Sequence, residues 1–354
     1  MKKLYIGDRA VGPGEPVYIV AEAGRNHNGD MEMAEGLVKA AAWAGADAVK
    51  FQSFRARELM VKDIFKLTHE EHTTQAQESA YQATEKVELC EEAHYRLAEV
   101  ARREGVAFLS TPEDMEMVEV LERAGVPAFK TASVDLTYLD LLRAISAKGR
   151  PMIVSTGMAT MDEVAGAIDA IASTGNDQVC LLHCVSCYPP PVEDTNLRAM
   201  EALRQAFPFP VGYSDHSLGI TIPIAAVALG ACLIEKHFTL DRGLPGSDHR
   251  ISADPAELRA MVEGIRTVER ALGDGVKVPA PSEMDMRCAR RKIVARRDIE
   301  SGTTLSIDML AVKMCRDRGI EPRFLPAVVG RETKASLRED EVITWHKIEG
   351  TPYW

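Results

Sequence analysis

Eight short apolar runs, each closing on a polar residue and followed by a helical pattern, constrain the fold of this 354-residue chain most. The segments between the runs carry apolar residues three and four positions apart, the spacing of a helix that packs on one face. Eight strand–helix units in roughly 270 residues favour an α/β fold of the (β/α)8 TIM-barrel type over an open doubly wound sheet, which usually has fewer strands. The runs are residues 18–22, 48–52, 107–111, 128–133, 152–156, 179–186, 211–215 and 233–237.

The pattern changes after residue 272, where a segment rich in glycine and proline favours an extended tether over a helix. We therefore predict a barrel over residues 1–272, a linker over 273–283 and a small β-rich domain over 284–354. Short β-like runs at 292–295 and 341–345 support the small domain. The long insertion at 54–88 follows the second strand, on the catalytic face of a barrel, and is predicted to be a substrate lid.

The net charge limits the kinds of molecule that the protein is expected to bind, and the number of cysteines indicates its cellular compartment. A formal net charge of −11 argues against nucleic acid and against an anionic membrane, since both call for a basic face. No apolar stretch approaches the roughly 18 residues of a spanning helix, and the first residues lack a leader pattern. Seven cysteines, an odd number, predict free thiols in a reducing cytoplasm, and the Cys184–Cys187 pair has no second pair to complete a zinc site.

The polar residues that close the runs are the first candidates for a functional site. Strand ends of a (β/α)8 barrel meet at one face, where TIM-barrel enzymes hold their active sites. One such serine or lysine is more often a turn cap or a solvated side chain, but here nearly every run closes on one. The candidates are Glu22, Lys50, Gln52, Thr111, Lys130, Ser133, Ser155, Ser186, Ser214 and Glu235.

His216 and His237 close the seventh and eighth runs, which are neighbours in a barrel, so we expect their imidazoles to meet. Neutral imidazoles suit first-row divalent cations, and a site with two protein ligands leaves positions for water and substrate. The alternative is a pair of hydrogen-bonded core histidines. Asp215 and Glu235, beside them in sequence, favour the metal site as supporting or acid–base groups.

Lys50 and Lys130 are predicted to bind an anion together with the strand-end serines. Two fixed ammonium groups with hydroxyl donors meet the needs of a phosphate that carries an adjacent carboxylate, in a protein of net negative charge. A barrel lysine also serves as the Schiff-base nucleophile of an aldolase. The histidines favour the metal-dependent alternative.

These motifs resemble those of the sialic acid synthase family, in order and over essentially the whole chain. The residues after 292 resemble the antifreeze-like (SAF) domain that follows the barrel in that family. The matching stretches are AEAGRNHNGD (21–30), AGADAVKFQSF (44–54), FLSTPED (108–114), KTAS (130–133), STGMAT (155–160), LLHCVSCYPPP (181–191), NLRAM (196–200), GYSDHSLG (212–219) and EKHFTLDRGLPGSDH (235–249).

The resemblance implies condensation of phosphoenolpyruvate with an N-acylamino hexose, either N-acetylmannosamine or 2,4-diacetamido-2,4,6-trideoxymannose, giving a sialic-type nonulosonic acid and phosphate. It also implies Mn²⁺ or Mg²⁺, and a homodimer in which the SAF domain of one subunit caps the barrel of the other. Glu22 and Glu235 are the candidates for proton transfer. The residues expected to bind phosphoenolpyruvate are Lys50, Thr111, Lys130, Ser133, Ser155, Ser186 and Ser214. Those expected to bind the metal are His216 and His237, and those expected to face the sugar are Glu22, Gln52, Tyr188, Glu235 and Asp248.

Departures from the family pattern leave the sugar open. The usual arginine of the SAF domain is displaced, with Arg316 or Arg318 as its substitute. Residues 319–325 resemble the pseudaminic acid and spore-coat branches, whereas lid residues Thr74 and Glu78 resemble the sialic and legionaminic branches. The competing functions are a synthase of one of those other branches, a lysine-dependent 2-keto-3-deoxy sugar acid aldolase, and a non-enzymatic carbohydrate-binding module.

Overall fold

The computed structural model describes residues 3–62 and 79–350. It divides into two compact units, Met1–Gly273 and Asp274–Trp354. The division lies at the start of the segment predicted as a linker, whose own limits stay a prediction. Of the predicted lid, residues 63–78 lie outside the described residues, and with them Thr74 and Glu78.

The first unit is built on eight parallel strands in a single sheet, which confirms the predicted barrel. The order around the sheet is β5-β4-β3-β10-β9-β8-β7-β6, and β5 and β6 at its two ends lie side by side. Among the described residues no hydrogen-bonded ladder joins these two strands. The strands of this unit are β1 (Leu4–Ile6), β2 (Arg9–Val11), β3 (Tyr18–Gly24), β4 (Ala48–Ser53), β5 (Ala107–Pro112), β6 (Phe129–Thr131), β7 (Met152–Ser155), β8 (Val179–Cys184), β9 (Val211–Asp215) and β10 (Leu233–His237).

Helices alternate with the barrel strands and pack one apolar face on them. In α1 the buried positions include Leu37, Val38 and Ala41, at helical spacing. Asp30 caps the start of α1 by accepting two backbone N–H groups, and Gly45, at φ 84°, ends it. The described helices here are α1 (Met31–Ala44), α2 (Ala56–Leu59), α3 (Ala80–Glu85), α4 (Glu91–Glu104), α5 (Met115–Ala124), α6 (Leu139–Ser146), α7 (Met161–Ala172), α8 (Ala199–Ala206), α9 (Thr221–Ala228) and α10 (Pro255–Leu272).

The strand register brings the predicted site residues level with one another. Glu22 of β3 pairs with Lys50 of β4 on one side and with His237 of β10 on the other. In the same way Glu235 of β10 pairs with Ser214 of β9. Residues paired across neighbouring parallel strands point to the same face, so this register gathers polar side chains inside the barrel.

The second unit packs its own small apolar core around Ile293, Leu310 and Ile343. Its regular elements are β11 (Arg291–Ala295), which pairs antiparallel with β12 (Leu310–Met314), and the short helix α11 (Leu325–Val328). The predicted β-run at 341–345 is wrong as a strand. It makes one isolated bridge, Val294 with Val342, and a 3₁₀ turn begins at Trp345.

Within the part of the chain that the structure describes, no helix has both the length and the apolar character needed to cross a membrane. All seven cysteines are free thiols.

Candidate active site

Four charged side chains lie buried together inside the barrel. Lys50 Nζ lies 2.8 Å from Glu22 Oε2 and 3.7 Å from Glu235 Oε2. Lys130 Nζ lies 3.6 Å from Glu235 Oε1. Each of the four residues is 4% exposed or less. Both lysines lie within their strands and not at the last residue, so the site is set below the rim of the barrel.

Hydroxyl groups from neighbouring strands surround the two ammonium groups. Lys50 Nζ donates to Thr111 Oγ1 at 3.1 Å, and Lys130 Nζ donates to Ser155 Oγ at 2.6 Å. Ser214 Oγ donates to Glu235 Oε1 at 2.8 Å. The predicted lysines and these three predicted hydroxyls therefore form one connected cluster.

The four charges hold one another at shifted pKa values. Burial raises the pKa of Glu22 to about 7, against the lowering effect of Lys50. Burial would also raise the pKa of Glu235, but Lys130 and Lys50 outweigh it and lower that pKa. Burial lowers the pKa of Lys130, only partly opposed by Glu235, whereas the two glutamates overcome burial and raise the pKa of Lys50.

A second group of small polar atoms surrounds the backbone of Gly157, just past β7. Ser133 Oγ accepts the Gly157 N–H at 3.0 Å and lies 3.2 Å from Cys184 Sγ. A Cβ built on Gly157 would meet Ser186 Oγ at 2.4 Å and Ser133 Oγ at 2.8 Å. The Ser186 hydroxyl is buried with no hydrogen-bond partner among the described residues. A pocket that holds an unused hydroxyl donor suits an anionic oxygen.

Two predicted serines are not strand residues, which corrects the predicted runs. β6 ends at Thr131 and Ser133 opens a 3₁₀ turn, while β8 ends at Cys184 before Ser186. The apolar pattern runs on for two residues because the turns are themselves partly buried.

His216 and His237 meet as expected, with ring centroids 5.3 Å apart. His216 Nδ1 lies 2.7 Å from the Val185 carbonyl oxygen, so it carries the proton and leaves Nε2 as a lone-pair donor. His237 Nδ1 is buried, has no hydrogen-bond partner in the described part of the chain and lies 3.7 Å from Asp248 Oδ2. Burial lowers the pKa of both imidazoles. This donor set fits a divalent cation, which would satisfy the unpartnered nitrogen.

Within residues 3–62 and 79–350, no cluster of three or more His, Cys, Asp or Glu side chains has metal-binding geometry. The histidine pair would therefore bind a cation with several positions open. Tyr188 stacks beside both rings, with centroids 4.3 Å from His216 and 6.0 Å from His237.

Asp215 does not support the histidines, contrary to the prediction. Alternation along β9 and β10 places it against Lys236, with Nζ 2.6 Å from Asp215 Oδ2. Ser217 Oγ also donates to this carboxylate, at 2.8 Å. The group is a buried ion pair that joins two strands.

Around Gly24 lie three of the side chains expected to face the sugar. A Cβ at this position would meet Asp248 Oδ2 and Glu22 Oε1 at 3.3 Å and Gln52 Nε2 at 3.5 Å. Gln52 Nε2 donates to Glu22 Oε1 at 3.3 Å. In the second unit, Arg316 and Arg318 are exposed in the turn after β12.

Two carboxyl groups at the same end of the barrel escaped the sequence prediction. Asp135 is 8% exposed, and its Oδ2 has no hydrogen-bond partner among the described residues. Burial and the neighbouring Glu113 raise its pKa to about 7. Burial likewise raises the pKa of Glu113. Glu113 lies within the motif stretch 108–114, and Asp135 lies two residues after the stretch 130–133. Neither residue closes one of the eight apolar runs, so neither became a candidate.

Two protein families match this chain, one over the barrel and one over the second unit. The NeuB family matches residues 37–277 and the SAF domain matches residues 290–349. The chain is 41% identical to the N,N'-diacetyllegionaminic acid synthase of Legionella pneumophila, with 94% of each protein covered. It is 35% identical to a pseudaminic acid synthase of Campylobacter jejuni, covering 91% of this chain and 94% of that protein.

A solved structure, the N-acetylneuraminic acid synthetase of Leptospira borgpetersenii in complex with citrate, superimposes with a TM-score of 0.71 at 35% identity. The match covers 81% of this chain and 95% of that one. The predicted SAF domain is thereby confirmed, and the chain belongs to the NeuB family, the family of the sialic, legionaminic and pseudaminic acid synthases.

Proposed function

We propose that this protein condenses phosphoenolpyruvate with an N-acylamino hexose to give a nonulosonic acid and phosphate. The observation that carries the proposal is the buried cluster of Lys50 and Lys130, ringed by hydroxyls and adjoining the His216–His237 pair. The relatives named as synthases of such acids support the same chemistry.

Phosphoenolpyruvate would lie between the two lysines and the Gly157 pocket. Ser133, Ser186 and the Gly157 loop supply donors for phosphate oxygens, and Lys130 with Ser155 supplies charge beside them. Lys50 with Thr111 supplies a second ammonium group, which suits the adjacent carboxylate. Charge-assisted hydrogen bonds of this kind are roughly twice as strong as neutral ones, so the dry pocket would favour an anion despite the negative net charge.

A divalent cation, Mn²⁺ or Mg²⁺, would be held by Nε2 of His216 and by the His237 ring, with Asp248 beside it. Bound there, it would supply Lewis-acid polarisation of the sugar aldehyde. Tyr188, Gln52 and Asp248 would orient the sugar against that position.

The condensation forms one carbon–carbon bond and breaks the C–O bond between C2 and the phosphate oxygen. C3 of phosphoenolpyruvate forms a bond to the aldehyde carbon, the aldehyde oxygen takes a proton, and water adds to the cationic C2. The C–O bond at C2 then breaks and phosphate leaves with the enol oxygen. The oxygen from water becomes the C2 carbonyl; one of its protons ends on the former aldehyde oxygen and the other leaves with phosphate. Glu22 and Glu235 are the groups within reach for the proton transfers.

Two acceptors remain under this proposal, N-acetylmannosamine and 2,4-diacetamido-2,4,6-trideoxymannose. The higher identity to the diacetyllegionaminic acid synthase, 41%, than to the N-acetylneuraminic acid synthetase, 35%, supports the second sugar. We also propose a cytoplasmic homodimer in which one SAF domain caps the partner's barrel, with Arg316 or Arg318 reaching the sugar. Sedimentation of the full chain, at half or twice the mass expected of a dimer, would contradict that assembly.

One observation favours a second candidate, the Schiff-base aldolase. Burial lowers the pKa of Lys130, as a nucleophilic lysine requires. Trapping with borohydride in the presence of a 2-keto-3-deoxy sugar acid would label Lys130 if this alternative holds.

The test is phosphate release from phosphoenolpyruvate with Mn²⁺ and each sugar in parallel, with and without a chelator. The proposal predicts sugar-dependent release that the chelator abolishes and excess Mn²⁺ restores. No phosphate release with either sugar, together with borohydride trapping by a 2-keto-3-deoxy sugar acid, would replace the synthase with the aldolase.

A further inference from the structure

Arg25 lies at the acceptor side of the site, yet none of the roles assigned so far includes it. It directly follows Gly24, where the pairing of β3 with β4 shifts register and the backbone turns to φ 53°. This bulge directs the chain across the mouth of the barrel and lets Arg25 reach over β4.

Three contacts hold the guanidinium. Nε donates to Gln52 Oε1 at 2.9 Å, and Nη1 donates to Thr84 Oγ1 at 3.4 Å. The group also stacks on the ring of Phe54, 4.7 Å from its centroid. A guanidinium carries five N–H donors in a fixed fork, so three N–H groups remain beyond these two hydrogen bonds.

The first contact fixes the orientation of the Gln52 carboxamide. Because Arg25 donates to its oxygen, the amide nitrogen turns to Glu22 Oε1 at 3.3 Å. Glu22 in turn contacts Lys50. One chain of contacts therefore runs from Arg25 to the buried charges.

The second contact ties this chain of contacts to α3, in the described C-terminal part of the predicted lid. Thr84 is 3% exposed and belongs to α3, whose start is fixed by a capping box between Ser79 and Gln82. Arg25 thus joins α3 to the side of the barrel where Gln52, Glu22 and Asp248 surround Gly24.

We propose that Arg25 is a positioning and specificity residue for the acceptor sugar, an inference that rests on the proposed function. It holds the Gln52 carboxamide with its amide nitrogen on Glu22, and it adds guanidinium donors of its own beside Gln52. The Arg25 guanidinium next to Gln52 would donate to the carbonyl oxygen of an acylamino group and would repel the ammonium of an unacylated amino sugar.

The test compares full-length Arg25→Met and Arg25→Lys with wild type, and with Arg102→Met as a matched control. Arg102, in the last turn of α4, is exposed and pairs with Glu99 of the same helix. For each variant we would measure the KM of the acylamino sugar, the KM of phosphoenolpyruvate, kcat, and the kcat/KM ratio of the acylated sugar over its free amine.

For Arg25→Met we expect the acceptor KM to rise by roughly tenfold or more, the usual effect of losing a charged hydrogen bond. The phosphoenolpyruvate KM should stay unchanged and the preference for the acylated sugar should fall. Arg25→Lys should be intermediate because it keeps the charge without the fork. Arg102→Met should match wild type.

Two results would overturn the inference. If wild type turns over its sugar and Arg25→Met keeps the same acyl preference and acceptor KM, Arg25 only braces α3. If wild type shows no phosphoenolpyruvate-dependent turnover with any acylamino sugar, the proposed function fails and this inference fails with it.

Discussion

The two ends of the same eight strands differ sharply in what they bury. At the amino end the strands begin on apolar side chains such as Tyr18, Ala48 and Leu233, which form one cluster with Leu4 and Ile6 of the β1–β2 hairpin. Further along the strands, toward the carboxyl end, the buried side chains include two lysines, two glutamates and the His216–His237 pair. Burying charges costs free energy that pairing only partly returns, so the amino end must stabilise a barrel whose other end is arranged for binding.

The largest expected effect separates the two ends by activity. Lys130→Met should lower turnover by about 10³-fold, since one donor to developing negative charge is commonly worth 10²- to 10³-fold and this one also binds substrate. Circular dichroism should show a folded barrel, because Lys50 still neutralises Glu235. Activity within about tenfold of wild type would mean that the charged end does not bind the anion.

At the amino end the effect should fall on stability instead. Leu233→Ala, at the first residue of β10, removes a fully buried side chain and should lower the free energy of unfolding by about 2–5 kcal/mol in urea titration. Turnover per folded molecule should equal that of wild type. Loss of activity in molecules shown to be folded would contradict the assignment of stability to the amino end and of activity to the carboxyl end.

A pH titration sharpens the comparison at Asp135. Its pKa is raised from 3.8 to about 7 in the folded state, so stability from this group is complete below the unfolded value and is lost as pH rises through about 7. Asp135→Asn should remove about 4 kcal/mol of this dependence, since each pKa unit is worth about 1.4 kcal/mol, measured by urea titration at pH 4 and pH 8. An unchanged slope in the variant would contradict a buried carboxyl group with a raised pKa.

The smallest effect concerns the Gly157 pocket. Gly157→Ala places a methyl group against Ser186 and Ser133, and should raise the KM of phosphoenolpyruvate by roughly tenfold with the sugar KM unchanged. Gly166→Ala is the matched control, because a Cβ there meets no atom within 4 Å. Equal behaviour of the two variants would remove the pocket from the phosphate site.

The sequence predicted the barrel because period-two and period-3.6 patterns report burial directly, and all eight apolar runs contain a strand. It also predicted that His216 and His237 would meet, since the ends of adjacent strands must. It could not show that Asp215 faces Lys236, because one residue of alternation decides which face a side chain takes. The Gly157 pocket and the reach of Arg25 depend on turns and a bulge that leave no periodic signal.

The central claim is that the charged end of the barrel forms a carbon–carbon bond between phosphoenolpyruvate and an acylamino sugar. The most direct measurement is carbon-13 NMR of a reaction with [2,3-¹³C₂]phosphoenolpyruvate, Mn²⁺ and 2,4-diacetamido-2,4,6-trideoxymannose or N-acetylmannosamine. The account predicts coupled signals of a ring methylene and an anomeric carbon of a nine-carbon acid, with one phosphate released per product. Label found only in pyruvate, or left in phosphoenolpyruvate with both sugars, would contradict it.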